Sequence, residues 1–235
     1  MVLTVHHLVA SRARSASYGF LNSPIFLQEE LEVPYEVKIY ERVGWGAPPS
    51  FKAVHPLGKS PIITDGNLTL PESGAIIDYI IRKYGKGRIR LPSEGKALTD
   101  ELYYSHSAEA SLMPLIVNKF FCTRIIPGQT PEEERPVVTD VLGKVAQTLY
   151  EPPIKLRVAL IDEHLSKNVW FAGGEGPTVA DYMMIFPLEL LRQSGSSTPN
   201  IDAYIDRAQT RPAYRRALER GGPYRFDFQG GWVAP

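Results

Sequence analysis

The stretch KSPIITDGNLTLPES, Lys59 to Ser73, decides the fold of the first part of the chain. Its two short apolar runs flank Asp65-Gly66-Asn67, a sequence that is typical of a hairpin turn. A proline precedes the first run, and Glu72 and Ser73 follow the second. The residues from Glu72 onward, ESGAIIDYIIRKYG, have the apolar spacing of an amphipathic helix. The stretch therefore predicts a β-hairpin that leads directly into a helix.

The sequence before this hairpin predicts two further strands with a helix between them. VLTVHHLV (Val2 to Val9) and YEVKIYER (Tyr35 to Arg42) are typical of strands. PIFLQEEL lies between them, and Ser23-Pro24 suits a helix N-cap followed by the first helical position. A short helical turn is expected before Pro56. A helix that connects the first two strands implies that they are parallel, so we expect a small mixed sheet covered by helices.

The pattern changes after Gly85. GKGRIRLPSEGK is rich in glycine and basic residues, which is typical of a linker, and the sequence beyond it is helical in pattern. We therefore predict an α/β domain over residues 1–86 and an all-helical domain over residues 95–235. Breaks between helices are expected at four places: Pro127-Gly128, Pro152-Pro153, Gly173-Gly174 and Pro199.

The composition argues against several classes of protein. The chain has 235 residues, of which 43% are hydrophobic and 22% charged, and its formal net charge is zero. A neutral total argues against a nucleic-acid partner. No window reaches the roughly eighteen apolar residues of a membrane span, and the start does not resemble a signal peptide. The single cysteine, Cys122, cannot form an internal disulfide, and no metal-ligand spacing is present. We expect a cytoplasmic protein without a metal, nucleic-acid partner or membrane partner.

Four strings, in this order, resemble the microbial, two-domain, cytosolic type of the glutathione S-transferase family across nearly the whole chain. They are LEVPYEVKIYER, HPLGKSPIITDGNLTLPESGAIIDYI, WFAGGEGPTVADYMM and RPAYRRALERGGPY. The resemblance implies a thioredoxin-like N-terminal domain and an all-α C-terminal domain. It also implies a homodimer, and glutathione as the co-substrate that the first domain binds.

The resemblance assigns roles to both ends of the opening stretch. The residue before a cis-proline, here Ser60 before Pro61, would bind the cysteinyl part of glutathione through its backbone. Glu72 and Ser73 would hold the γ-glutamyl end, because an acid can pair with the ammonium group and a helix N-terminus favours a carboxylate. Lys59 is a candidate for the glycine carboxylate, or else a solvent-facing lysine in a turn. The alternative for Glu72 and Ser73 is that they only cap the helix.

The hydroxyl that activates the thiol has three candidates. In the family it is a Ser or Tyr just after the first strand, at the start of the first helix. This chain has Ser11-Arg12 there, but extra residues then separate the pair from Glu29-Glu30-Leu31. Aligned from the strand, the hydroxyl is Ser11. Aligned from the helix it is near Tyr18, and Ser23 holds the capping place if the helix starts at Pro24.

The resemblance also implies the reaction. We expect a glutathione S-transferase that adds the thiolate to hydrophobic electrophiles in detoxification, with a candidate peroxidase side activity. Tyr103, Tyr104 and His106 are candidates for lining the electrophile pocket. The alternative is a transferase fold that binds glutathione or hydrophobic ligands without turnover. Cysteine-based chemistry is disfavoured because Cys122 lies in the second domain.

Two further expectations are structural. Thr178 and Asp181 have the spacing of a capping box, with Asp in place of the usual Glu. A set of large apolar residues is expected in the core: Trp170, Phe171, Met183, Met184 and Phe186.

Overall fold

The first domain contains the predicted mixed sheet. The computed structural model describes residues 2–9, 19–43 and 46–221. Within these ranges the strands are β1 (Leu3–Val9), β2 (Tyr35–Glu41), β3 (Ile62–Asp65) and β4 (Leu68–Pro71). Their order in the sheet is β2-β1-β3-β4, with β1 and β2 parallel and the other two pairs antiparallel. This arrangement confirms the predicted parallel pair and the hairpin.

Three helices cover the two faces of this sheet. They are α1 (Gly19–Glu30), α2 (Pro49–Lys52) and α3 (Ser73–Tyr84). The predicted apolar stripe of α3 is confirmed, because its four isoleucines are buried in one core with β1 and α1. On the opposite face, Phe51 of α2 packs with Leu8 and Ile62 in a smaller cluster.

The predicted start of α1 is wrong. The helix begins at Gly19, so Ser23 lies buried in its interior and Pro24 is inside the helix. A proline in a helix removes one hydrogen bond to the carbonyl four residues earlier, here that of Phe20. That carbonyl belongs to the first turn, where the loss disturbs little of the helix. The apolar residues that follow are fully buried and stabilise the helix: Ile25, Phe26 and Leu27.

Over the described residues 95–221 the second domain is built from helices, as predicted. Its elements are α4 (Gly95–Ser107), α5 (Met113–Phe120), α6 (Ile126–Gln129), α7 (Arg135–Val145), α8 (Glu151–Leu165), α9 (Val179–Gln193), α10 (Pro199–Thr210) and α11 (Pro212–Gly221). Three π-helical turns join neighbouring helices: Ala108–Leu112, Phe121–Ile125 and Ala146–Tyr150.

Two of the predicted helix breaks are wrong. Pro127-Gly128 lies inside α6, which ends at Gln129. The chain passes from α7 through the π-turn Ala146–Tyr150 into α8 without a break at Pro152-Pro153. These prolines stand in the first turn of α8, directly after the π-turn, where the hydrogen-bonding register of the helix has already changed. Their missing N–H groups therefore cost less than they would in the middle of an α-helix.

The helix α9 forms the centre of the second domain and confirms two predictions. All its residues from Val179 to Leu191 are buried, and so are Trp170 and Phe171. The capping box is present: Asp181 Oδ2 accepts the Thr178 N–H at 2.8 Å, and Oδ1 accepts the Phe171 N–H at 3.0 Å. Burial raises the pKa of Asp181 to about 6, although these donors act in the opposite direction.

Ion pairs join α11 to the first domain. Glu29 of α1 accepts hydrogen bonds from Arg216 Nε at 2.7 Å and from the Tyr35 hydroxyl at 2.6 Å. Arg220 Nε lies 3.1 Å from the same carboxylate. Burial acts to raise the pKa of Glu29, but the hydroxyl and the two guanidinium groups outweigh it and hold the pKa below its ordinary value.

We expect Glu29→Gln to remove a pH-dependent part of the stability. A carboxyl whose pKa is lower in the folded state stabilises the fold above its unfolded pKa of about 4.5, and the stabilisation is lost as the pH falls through the folded pKa. Urea unfolding at pH 7 should show a loss of about 1–3 kcal/mol, since charge-assisted hydrogen bonds disappear. The difference in unfolding free energy between the variant and the unmodified protein should shrink toward pH 3.

A matched control is Glu163→Gln, which removes a solvent-exposed pair with Lys167 and should change stability little. If Glu29→Gln lost the same unfolding free energy at every pH from 7 to 3, the proposed link between the pKa of Glu29 and stability would be contradicted.

Candidate functional site

The strand pairing of the hairpin brings its two ends together. Ile62 of β3 is opposite Pro71 of β4. Pro61 and Glu72 are the next residues beyond this last pair, so the two dipeptides singled out in the sequence lie at the same end of the hairpin.

The Ser60–Pro61 peptide bond is cis, as the resemblance implies. The pairing of β3 with β1 ends at Ile62 opposite His6, so Ser60 and Pro61 lie just beyond the ladder. The Ser60 hydroxyl accepts the Leu8 N–H at 3.3 Å and lies 3.5 Å from His7 Nδ1. These contacts hold Ser60 against the end of β1, from which the Ala10–Ser23 segment continues.

Glu72 is the N-cap residue of α3, but its side chain makes no capping hydrogen bond. Its carbonyl accepts the Ile76 N–H at 2.9 Å, while its side chain is exposed. The backbone has φ 76° and ψ 119°, in the positive-φ region that residues other than glycine rarely adopt. Such a conformation costs of the order of 1–3 kcal/mol and is found most often at functional sites.

The N-terminus of α3 meets a carboxylate from the helical domain. Ser73 is buried, and a Cβ added at Gly74 would lie 3.9 Å from Glu109 Oε2. Burial raises the pKa of Glu109 and the nearby charge of Glu72 raises it further, whereas hydrogen bonds from the Ser73 hydroxyl and the Gly74 N–H act to lower it. Two carboxylates thus flank Ser73, one from each domain.

The sequence predictions did not include Glu109 or His7 at this site. His7 is buried, and burial together with the Arg42 charge lowers its pKa to about 4, so its imidazole is neutral at physiological pH. His7 lies within β1, paired with Ile39, and no local signal in the sequence marks it as a neighbour of Ser60. No local signal marks Glu109, since it lies more than thirty positions from Glu72 along the chain.

The other predicted residues divide into three groups. Lys59 is exposed beside Ser60. Ser11 and Tyr18 lie outside the described residues. Ser23, the third hydroxyl candidate, is in the interior of α1, so its proposed capping place is wrong.

The predicted electrophile pocket needs one correction. Tyr103 and His106 are exposed on α4, but Tyr104 is buried. Its ring centroid lies 4.5 Å from those of both His164 and Phe171. Tyr104 therefore belongs to the core, where its ring also contacts that of the exposed Tyr103 at a centroid distance of 4.9 Å.

The described residues contain no group of three or more His, Cys, Asp or Glu side chains arranged to hold a metal ion. None of their helices combines the length and the apolar character that a membrane crossing requires. Cys122 is buried in the π-turn Phe121–Ile125 of the helical domain.

Comparisons with known proteins agree on one family. Residues 23–88 match the model of the glutathione S-transferase N-terminal domain. Glutathione S-transferase 3 of Schizosaccharomyces pombe is 35% identical over 224 residues, which are 93% of this chain and 88% of that protein. The chain therefore belongs to the glutathione S-transferase family, and its fold is a thioredoxin-like domain followed by a helical domain.

Solved structures show the same two-domain fold. A glutathione S-transferase from Actinobacillus pleuropneumoniae aligns with a TM-score of 0.69 at 26% identity, over 95% of this chain and 94% of that one. A theta class enzyme from Xanthomonas axonopodis pv. citri, solved with glutathione bound, aligns with a TM-score of 0.64 at 20% identity, over 92% and 97%.

Proposed function

We propose that this protein is a glutathione S-transferase that activates the thiol of glutathione and adds it to hydrophobic electrophiles. Membership of the family supports the proposal, as does the glutathione bound in the related Xanthomonas structure. The single observation that carries it is Glu72. Its side chain does not cap the helix that it precedes, and its backbone holds a positive φ at the same end of the hairpin as Ser60 and Pro61.

Each part of the tripeptide has a partner in this arrangement. The backbone of Ser60, just beyond the end of the β1–β3 ladder, can pair with the cysteinyl part as an added strand would. Ser73 and the free N–H groups of α3 suit the γ-glutamyl carboxylate. Glu72 suits the ammonium group, and the exposed Lys59 suits the glycine carboxylate.

Catalysis requires glutathione as a thiolate. A free thiol has a pKa near 8.5, and lowering it by about two units takes roughly 2.7 kcal/mol of preferential stabilisation of the anion. One hydroxyl donor and a helix N-terminus supply energies of this size. We assign the hydroxyl to Ser11, with Tyr18 as the alternative. The thiolate sulfur then forms a bond to the electrophilic carbon, and the leaving group departs with its electron pair.

Several further expectations belong to the same proposal. They are a homodimer, a cytoplasmic location, a role in detoxification and a peroxidase side activity. No nucleic acid, membrane or metal takes part in the proposed reaction, and glutathione is consumed as a co-substrate.

Glu72→Gln tests the assignment of the ammonium site. Since the Glu72 side chain makes no capping hydrogen bond, we expect a stability change of only a few tenths of a kcal/mol. Loss of a charge-assisted contact worth about 1.5–3 kcal/mol should weaken glutathione binding roughly 10- to 150-fold. Calorimetric titration gives the affinity, and melting temperatures give the stability.

Glu94→Gln is the matched control, because Glu94 is also an exposed N-cap residue without a side-chain capping bond. An unchanged glutathione affinity in Glu72→Gln would mean that Glu72 has only a structural role.

Turnover tests the catalytic part of the proposal. The protein should be retained on immobilised glutathione, elute with free glutathione and convert an activated aryl chloride to its thioether. Ser11→Ala should lower turnover at pH 6.5 by about 10- to 100-fold while retention persists, because a hydrogen bond to the thiolate is lost. Ser15→Ala, in the same segment of sequence, is the control. Retention without turnover in the unmodified protein would support the alternative, a non-catalytic binding protein.

A further inference from the structure

Glu101 of α4 is a buried acid at the junction of the two domains. The residue is 8% exposed, and its Oε2 atom has no hydrogen-bond partner among the described residues. It lies near Thr178 and Asp181 at the N-terminus of α9, and the charge of Asp78 on α3 acts on it from the first domain. An ionised carboxylate is unfavourable at such a place unless donors or a cation compensate for the lost water.

The Thr178 hydroxyl stands between two carboxyl groups but carries one proton. It donates that proton to Asp181 Oδ2 at 3.3 Å. It is also close enough to Glu101 to act on it as a hydrogen-bond partner. A hydroxyl has one donor and two acceptor lone pairs, so once it donates to Asp181 it can only accept a hydrogen bond from Glu101. Accepting this bond requires that Glu101 carries a proton.

Of the two acids, Asp181 is the one that holds the negative charge. It accepts the Thr178 N–H at 2.8 Å and the Phe171 N–H at 3.0 Å in addition to the hydroxyl, and donors of this kind stabilise a carboxylate. Burial raises the pKa of Glu101, and the charges of Asp181 and Asp78 raise it further, whereas the Thr178 hydroxyl acts to lower it. Hydrogen bonds therefore run from Glu101 to Thr178 and from Thr178 to Asp181.

The other charged groups around α4 do not neutralise this cluster. Lys96, on the same helix, is already in an ion pair. His164 of α8, which also packs against α4, has its pKa lowered by burial and is mostly neutral at pH 7. In the described part of the chain no lysine, arginine or histidine acts on Glu101. An ionised Glu101 would thus face Asp181 of α9 and Asp78 of α3 without a cation.

We propose that Glu101 is a pH-sensitive contact between the two domains. In its protonated form it donates a hydrogen bond to Thr178 and joins α4 to the N-terminus of α9. In its ionised form it is repelled by Asp181 and, across the domain boundary, by Asp78, so the packing of α3 on the helical domain loosens as the pH rises. The contact requires no ligand and is independent of the proposed function.

Glu101→Gln tests the proton. A carboxyl whose pKa is raised on folding stabilises the fold fully below its unfolded pKa of about 4.5, and this stabilisation is lost as the pH rises through the folded pKa. The glutamine amide keeps a donor for the Thr178 oxygen but cannot ionise. In urea unfolding, the ratio of the unfolding equilibrium constant of the unmodified protein to that of the variant should rise by up to about tenfold per pH unit between the two pKa values, then level off. Glu133→Gln, at an exposed glutamate, should give the same pH curve as the unmodified protein.

Asp78→Asn tests the part of the contact that crosses the domain boundary. Asp78 is exposed, so the variant should fold normally. An NMR titration that follows the side-chain carboxyl carbon of Glu101 should show its midpoint at a lower pH in this variant, because a like charge is removed. Asp140→Asn, at an exposed aspartate of α7, is the matched control and should leave the midpoint unchanged.

Three outcomes would overturn the proposal. A Glu101 midpoint at or below about 4.5 in the unmodified protein would mean that no proton is held there. A stability ratio for Glu101→Gln that did not change with pH would mean the same. A midpoint unchanged by Asp78→Asn would confine the contact to the helical domain and refute its role between the domains. If Glu101→Gln does not fold, the two titrations decide without it.

Discussion

The antiparallel pairing of β3 with β4 is the constraint on which the proposed site depends. It fixes Ile62 opposite Pro71, so the residues just outside the hairpin lie at the same end of it although eleven or more positions separate them in sequence. Asp65 at the turn accepts hydrogen bonds from Tyr79 and Lys83 of α3, each at 2.7 Å, which holds the hairpin against the helix that follows it. A one-residue slip in this pairing would turn every side chain of β4 to the other face and separate the site.

Most of the first domain could be predicted because its signals are local. The Asp65-Gly66 turn, the strand β2 and the isoleucine stripe of α3 each have signals within a few residues, and the structure confirms all three elements, although Ile39 of β2 is exposed. The wrong predictions concern prolines, since Pro24 was expected at the first helical position and Pro152 at a break between helices. Both lie in helices, because packing of the surrounding apolar residues and a π-turn outweigh a local loss of one hydrogen bond.

In the site, too, the features with local sequence signals were predicted, and those that depend on contacts between distant residues were not. The cis bond at Pro61 and the helix start at Ser73 followed from family motifs within the opening stretch. The approach of Glu109 did not, since it depends on how the helical domain docks on α3. Tyr104 was misassigned for a related reason, because only the packing of α4 decides which of two adjacent tyrosines is buried. Long-range contacts of this kind leave no periodic pattern in the sequence.

Hydrogen exchange with and without glutathione tests most directly whether the hairpin edge is the binding site. At a saturating concentration of glutathione, peptides that cover residues 59–76 should exchange more slowly, because the backbone groups of Ser60 and of the first turn of α3 become hydrogen-bonded to the ligand. Peptides from the exposed face of α7 and α8 should not change. Unchanged exchange over residues 59–76 at saturation, with protection confined to the helical domain, would contradict the account.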